Sequence, residues 1–389
     1  MRFLHIFTLP CTAEAFFDGQ FMYLQENGIE TLVIANSEFD PEFVKRNHLT
    51  ELTVPISRSI NPLADITAIL RVRKIIRKEN IDGVVGHTPK GAMIAMLAGI
   101  LAGSKIRIYY RHGLIYTTAS GLRRMILKSV ERMTASCATH IVNVSPSLNS
   151  LALKDRLNSE AKQCVIGAGT CGGIDANNLF NPEHVSTQQV NELRASLGIS
   201  KQEFVIGFCG RICKEKGIRE LIDGFSIFQG KHQNSKLLLV GGYDMRDILP
   251  EEYKRKIAEN PAIIHTGPVV KSILPLYYSL MDTFVFPSYR EGFGMCVIEA
   301  SAMEVSVLVS RSHGCVDSIS EGITGEYIEP SPIAIADGLE IMLDEKKRGA
   351  YGENGRKWVV NNFDHRVLWP IVKDFYSECI RNQISNEPI

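Results

Sequence analysis

Asp282-Thr283-Phe284-Val285-Phe286-Pro287-Ser288-Tyr289-Arg290-Glu291-Gly292-Phe293-Gly294-Met295-Cys296-Val297-Ile298-Glu299-Ala300 is the stretch on which the reading of this chain turns. The run Asp282 to Phe286 predicts a buried parallel strand. Gly292 and Gly294 let the backbone turn tightly and approach a ligand. From Met295 the pattern is helical, so a helix N-terminus opens beside the glycines and offers free N–H groups to an anion. Glu291 in the loop and Glu299 in the helix flank this device. Separated by a loop, they cannot form a close acid–base pair, but they suit two ends of one extended ligand with its phosphates between them.

Working outward, strand and helix patterns alternate in both directions. Upstream, strands are predicted over residues 2–9, 31–35, 81–86, 105–110 and 141–144. Helices are predicted over 13–27, 61–79, 89–101 and 122–137, and another opens at Ser145-Pro146 with a cap and a proline at N1. Residues 179–202 are polar, begin near Asn181-Pro182 and read as a linker. Strands over 204–209, 236–240, 262–265, 282–286 and 305–310 follow, with helices between. Repeated strand–helix alternation means parallel, doubly wound sheets, and 389 residues exceed one ordinary core. The expected organisation is an α/β chain with a first Rossmann-like domain over 1–178, a linker over 179–202 and a second such domain over 203–364. The run Gly167-Ala168-Gly169-Thr170-Cys171-Gly172-Gly173-Ile174-Asp175 reads as a hinge.

A second basic device is Gly210-Arg211-Ile212-Cys213-Lys214-Glu215-Lys216-Gly217, between a strand and a helix. Cations at a helix N-terminus oppose the macrodipole and cost roughly 0.3–1 kcal/mol each, which makes sense where an anion sits. His87 and His112 both lie just beyond predicted strands, where open parallel sheets bind ligands. Lys90 opens the helix after His87 and could meet an acceptor phosphate on the same argument. A lone histidine is more often structural than functional.

Glu291 and Glu299, set in this strand–loop–helix, resemble the E-x7-E signature of the family 4 retaining glycosyltransferases. Gly210 to Gly217 is similar to that family's G-R-x(3–4)-K-G motif. The resemblance implies a GT-B fold, two Rossmann-like domains facing across a cleft, with residues 365–389 crossing back to the first. It implies transfer of a sugar from a nucleotide donor, a UDP-sugar, with retention of configuration. On it Glu291 contacts the donor sugar, Glu299 holds the ribose, and Arg211 with Lys216 grips the diphosphate. His112 faces the sugar and acceptor, and Gly292, Phe293, Gly294 and Met295 lie along the donor. Val269, after the strand 262–265, contacts the base, and Ser312-His313-Gly314-Cys315 faces the sugar. The loop Leu9-Pro10-Cys11-Thr12-Ala13 lacks the glycine pair that many relatives place against donor phosphate. No D-x-D triplet occurs, so the two cations are expected to neutralise the leaving diphosphate without a metal or other cofactor. Alternatives are a non-catalytic sugar-nucleotide or glycan-binding protein, or a nucleotide-sugar epimerase.

Composition fits an ordinary globular enzyme, with 45% hydrophobic and 22% charged residues. No apolar run reaches the ~20 residues that span a bilayer. Met1 to Cys11 imitates a leader, but its apolar part is short and His5 interrupts it, so it reads as a buried strand. The nine cysteines lack paired spacing, which fits reduced thiols in a cytoplasm.

Net charge is zero, yet Lys45 to Arg132 holds 16 Lys+Arg against 5 Asp+Glu. That asymmetry suggests an anionic partner for the first half. Basic amphipathic patterns at 64–78 and 122–137 suit an anionic membrane surface. A lipid-linked saccharide acceptor, as in bacterial surface polysaccharide synthesis, is expected from the resemblance. The expected location is cytoplasmic and peripheral on the inner membrane face, with no nucleic-acid partner.

Overall fold

The computed structural model describes residues 1–57, 59, 61–170 and 172–384. Cys171 of the glycine-rich run and residues 385–389 of the returning segment lie outside them. The chain divides into two compact units. The first comprises Met1–Gly173 and the segment from His365 onward, and the second Ile174–Asp364.

The first unit holds β1 (Arg2–Ile6), β2 (Glu30–Ala35), β3 (Thr50–Thr53), β4 (Gly83–His87), β5 (Ile106–Arg111), β6 (His140–Asn143) and β7 (Gln163–Cys164). All pair in parallel in the order β3-β2-β1-β4-β5-β6-β7. The central strands β1 and β4 are almost wholly buried, as strands covered by helices on both faces must be. β3 and β7 escape the sequence pattern because they are short, half-exposed strands at the two edges. The helix expected over 13–27 is two helices, Pro10–Phe16 and Gln20–Glu26, separated at Gly19, whose φ is 78°.

The second unit holds β8 (Phe204–Cys209), β9 (Ser235–Val240), β10 (Ile263–His265), β11 (Thr283–Phe286), β12 (Ser306–Ser310) and β13 (Glu326–Ile328), ordered β10-β9-β8-β11-β12-β13 and parallel throughout. In each unit the strand order reverses beside the first strand, at β1/β4 and at β8/β11. In open parallel sheets such a reversal marks the place where ligands bind, at the carboxyl ends of the strands.

The stretch expected to be a linker is not one. It carries the helix Thr187–Ser196, capped by the Ser186 hydroxyl on the Gln189 N–H. Residues before it are tied into the second unit. Arg356 donates to the carbonyls of Ala176, Phe180 and Ala302 and to Asn181 Oδ1. Asp364 accepts from the Ala176 N–H at 3.1 Å. The boundary therefore falls at Gly173/Ile174 rather than after 178, because polarity marks this segment's solvent side and not its backbone freedom.

From His365 the chain returns to the first unit as one helix, His365–Ile384, with Pro370 inside it. Its Trp369 indole donates to the Gly172 carbonyl at 2.8 Å and lies against Gly19, where a Cβ would sit 2.8 Å from the ring. Tyr376 packs edge-on against Phe3 of β1.

Candidate active site

The loops after β8 and β11 lock together in the second unit. Gly217, at φ 70°, precedes the helix Ile218–Lys231, and a Cβ there would lie 2.2 Å from the Pro287 carbonyl oxygen. The Tyr289 N–H donates to the Glu215 carbonyl at 2.9 Å, and the Arg290 guanidinium pairs with the Glu215 carboxylate. This fit brings Lys216 and Glu291 together as an ion pair with both side chains largely buried. Burial alone would lower the Lys216 pKa, but the Glu291 charge and hydrogen bond raise it above its ordinary value. The lysine therefore stays cationic.

Each cation of the basic device has an acidic neighbour. Arg211 pairs with Asp244 in the loop after β9, and Lys214 lies 3.8 Å from Asp247. Asp247 also accepts from the Glu215 N–H at 2.5 Å. The negative charge that these cations call for is thus supplied in part by carboxylates of the loops after β9 and β11. Asp244 is held down to about 2, although burial pushes it up, by the N–H groups of Arg246 and Asp247 and by Arg211. Asp244 and Asp247 were not nominated from sequence. Their signal was positional, since β9 is the neighbour of β8 and Gly241-Gly242 ends it.

Glu299 stands apart from the Lys216–Glu291 pair, in the helix Met295–Ala302. Tyr278 donates its hydroxyl to Glu299 Oε2 at 2.9 Å. Burial raises the Glu299 pKa, against the opposing pull of Lys271 and Tyr278. Tyr278 was missed because nothing in its local pattern separates it from a core tyrosine.

The helix start is more occupied than its glycines suggested. The Gly294 N–H donates to the Gly314 carbonyl at 3.3 Å and the Met295 N–H to the Phe293 carbonyl at 2.9 Å. Among the described residues no backbone or side-chain acceptor meets the N–H groups of Glu291, Gly292, Phe293 or Cys296. Those four amides are left for an acceptor from outside the chain, the supply of donors that an anion cradle needs. Gly314, at φ 82°, lets the loop after β12 close on this cradle, since a Cβ would lie 2.6 Å from the Gly292 oxygen. Ser312 Oγ, in the same loop, donates to the Ser288 carbonyl at 2.8 Å. Val269 is half-buried in the loop after β10, where the Gly241 N–H donates to the Gly267 carbonyl at 3.0 Å.

In the first unit, His112 follows β5 and is half-buried. His87, at the end of β4, is fully buried and cannot itself meet a ligand. Its Nδ1 lies 3.0 Å from His112 Nε2. Lys90 is ion-paired with Asp65, both mostly buried, so the bare cation expected for an acceptor phosphate is already neutralised. In the loop after β1, Pro10 opens a helix, and the Thr8 hydroxyl accepts from the Gly91 N–H at 3.2 Å.

The exposed basic patterns also divide. In the helix Pro62–Lys78, Ile69, Val72 and Ile76 are buried in the core, and Arg73 and Arg77 donate to the Leu101 carbonyl. That helix thus buries one face in the core, while Leu63, Ile66 and Leu70 are exposed. The helix Gly121–Cys137 buries only Glu131, Thr134 and Ala135. It exposes Leu122 (71%), Met125 (67%), Ile126, Val130 and Met133. No helix among the described residues is long and apolar enough to cross a membrane.

Two family models match the chain: "Glycosyl transferases group 1" over residues 189–358 and "Glycosyltransferase Family 4" over residues 21–169. The chain is 31% identical over 365 residues to the capsular polysaccharide biosynthesis glycosyltransferase CapM of Staphylococcus aureus, covering 93% of each. It is 24% identical to an N,N'-diacetylbacillosaminyl-diphospho-undecaprenol α-1,3-N-acetylgalactosaminyltransferase of Campylobacter jejuni, over 92% of this chain and 94% of that one. Among solved structures, a Rickettsia africae glycosyltransferase superposes with a TM-score of 0.81 at 20% identity, over 98% of this chain and 99% of its own. Anabaena HepE in complex with UDP and glucose gives 0.78 at 18%, over 97% and 100%.

Proposed function

This chain belongs to the group 1, family 4 glycosyltransferases of GT-B fold, and from that membership we propose a retaining, metal-independent enzyme that moves a sugar from a UDP-sugar to a lipid-linked saccharide. The observation that carries the proposal is the meeting of Lys216 and Glu291 beside four unpartnered amides at the β8/β11 reversal. A diphosphate entering the cradle offers Lys216 a stronger anion than Glu291. Lys216 moves to phosphate, and Glu291 is freed to accept hydrogen bonds from the sugar hydroxyls. Arg211 leaves Asp244 for the same diphosphate. Two cations and the amides then stabilise the negative charge that grows on the leaving UDP, the task for which preorganised donors are worth most. Glu299, oriented by Tyr278, accepts from the ribose hydroxyls, Val269 lies against the base, and His112 contacts sugar or acceptor.

The acceptor side of the proposal rests on the helix Gly121–Cys137. Its outward apolar stripe is flanked by Arg123 and Arg124, which are exposed and carry no ion pair among the described residues. Such a face suits an anionic membrane, where a polyprenyl-diphosphate acceptor of the kind named for the Campylobacter relative would be found. We place the enzyme on the cytoplasmic side of that membrane, as a peripheral protein.

UDP release from a panel of UDP-sugars, with and without EDTA, tests the proposal. Release should occur with one sugar preferred, should rise with a polyprenyl-diphosphate-linked acceptor, and should survive EDTA. Inversion of the sugar without UDP release points to the epimerase, and tight UDP-sugar binding with neither outcome to a non-catalytic binder. Loss of turnover in EDTA, restored by magnesium or manganese, refutes metal independence.

A further inference from the structure

Three histidines from three different strand ends line up in the first unit. His5 Nδ1 of β1 lies 2.9 Å from His87 Nε2 at the end of β4. His87 Nδ1 lies 3.0 Å from His112 Nε2 just after β5. The row is boxed by rings: Phe7 stacks on His87 at 4.2 Å, Phe17 meets His87 edge-on at 4.8 Å, and Phe21 meets His5 edge-on at 4.9 Å. At the inner end, His5 Nε2 is buried with no partner. At the outer end, His112 is half-exposed and its Nδ1 takes no hydrogen bond from the described residues. Thr88, directly after His87, holds φ 61° and ψ 155°, a region occupied almost only by glycine and kept elsewhere only where the surroundings enforce it.

We propose that His5 and His87 are positioning residues that hold His112 in the tautomer with its proton on Nδ1, presenting a neutral N–H donor to a substrate oxygen. Burial pushes His5 down to about 3 and His112 to about 4, and it also lowers His87 well below the ordinary histidine range. All three rings are therefore neutral at pH 7 and carry one N–H apiece. Each of the two junctions uses one N–H, and the third must sit at an end of the row. An N–H on His5 Nε2 would be a desolvated donor with no acceptor, and orphaned buried donors are rarer than orphaned acceptors. So His5 donates to His87, His87 donates to His112, and the free N–H emerges on His112 Nδ1. The substrate oxygen it meets is a sugar hydroxyl or phosphate oxygen, an assignment that rests on the function proposed above.

The test begins with the unmodified protein. Long-range proton–nitrogen correlation on histidine-labelled full-length chain at pH 7 should show His112 with a protonated Nδ1 and a bare Nε2. His87→Phe keeps ring volume in the aromatic box but breaks the row. It should abolish the tautomer preference and lower kcat about tenfold, the scale of one lost hydrogen bond, with KM for the donor little changed. In a His112→Ala background His87→Phe should cost nothing further. A proton on His112 Nε2 in the unmodified protein overturns the proposal, as does a full second loss in the double variant. Absence of transfer from every UDP-sugar would instead sink the proposed function, and the spectrum alone would then decide the tautomer.

Discussion

Burial raises the Glu299 carboxyl above its ordinary 4.5, against the pull of Lys271 and Tyr278. A carboxyl raised on folding binds its proton more tightly in the folded state, so its contribution to stability is present at low pH and lost as pH climbs past 4.5. Glu299→Gln removes that loss. The ligand-free variant should melt higher than the parent at pH 7, with the gap closing toward pH 4.5. The same variant should bind UDP more weakly by about 1.5–3 kcal/mol, the worth of a charge-assisted hydrogen bond. Thermal scans and calorimetry on one preparation check both halves, and unchanged UDP affinity would reverse the ribose assignment. Glu291→Ala should lower turnover more than UDP affinity, because it leaves Lys216 free for phosphate while removing the sugar contact. A Glu291→Ala protein that loses UDP in calorimetry would show that the pair with Lys216 shapes the phosphate site itself.

Among the elements, the two loops at the β8/β11 reversal depend on Gly217. Gly217→Ala places a Cβ against the Pro287 carbonyl at a positive φ, so it should destabilise the second unit by about 1–3 kcal/mol and raise KM for the donor. Chemical unfolding and donor titration read the two effects. The helix Gly121–Cys137 gives a different prediction. Lys128 is not a free cation, since it pairs with Asp155 at 2.8 Å, and Arg132 donates to the carbonyls of Asp155 and Arg156. Flotation with anionic vesicles should therefore respond to Arg123→Ser with Arg124→Ser, and to Leu122→Ser with Met125→Ser, at about 1 kcal/mol per arginine near the surface. No flotation at low salt would favour a soluble acceptor.

This helix also shows how far the sequence carries. Apolar residues at helical spacing foretold a helix, but not whether its stripe faces core or solvent. Leu122 and Ile69 look alike in sequence, and only tertiary packing separates them. The strand–loop–helix around Glu291 was legible because glycines, alternation and carboxylates agree locally. Asp244 and the His5–His87 row were not, because each arises from strands that are neighbours in the sheet and distant in the chain, and Tyr278 was not, because it meets Glu299 from a different helix.

At the scale of the molecule, the proposed nucleotide groups (Arg211, Lys216, Val269, Glu291 and Glu299) all belong to the second unit, and His112 to the first. UDP alone should therefore slow hydrogen exchange at 210–217 and 291–299 and leave 83–112 unchanged. At a hundredfold excess over Kd it should add about 2.7 kcal/mol to the stability of the unit that binds it. Protection spreading first to 83–112 would contradict that division of labour.

The returning helix has a consequence for how the chain is made. Trp369 and Tyr376 cover Gly19 and Phe3, so the first unit encloses residues from both extremes of the sequence. On the ribosome, the second unit has all its strands while β1 still waits for its cover. The unit synthesised first is finished last, and a message cut short after Asp364 would yield a complete second unit beside an open apolar seam for chaperones and proteases to find.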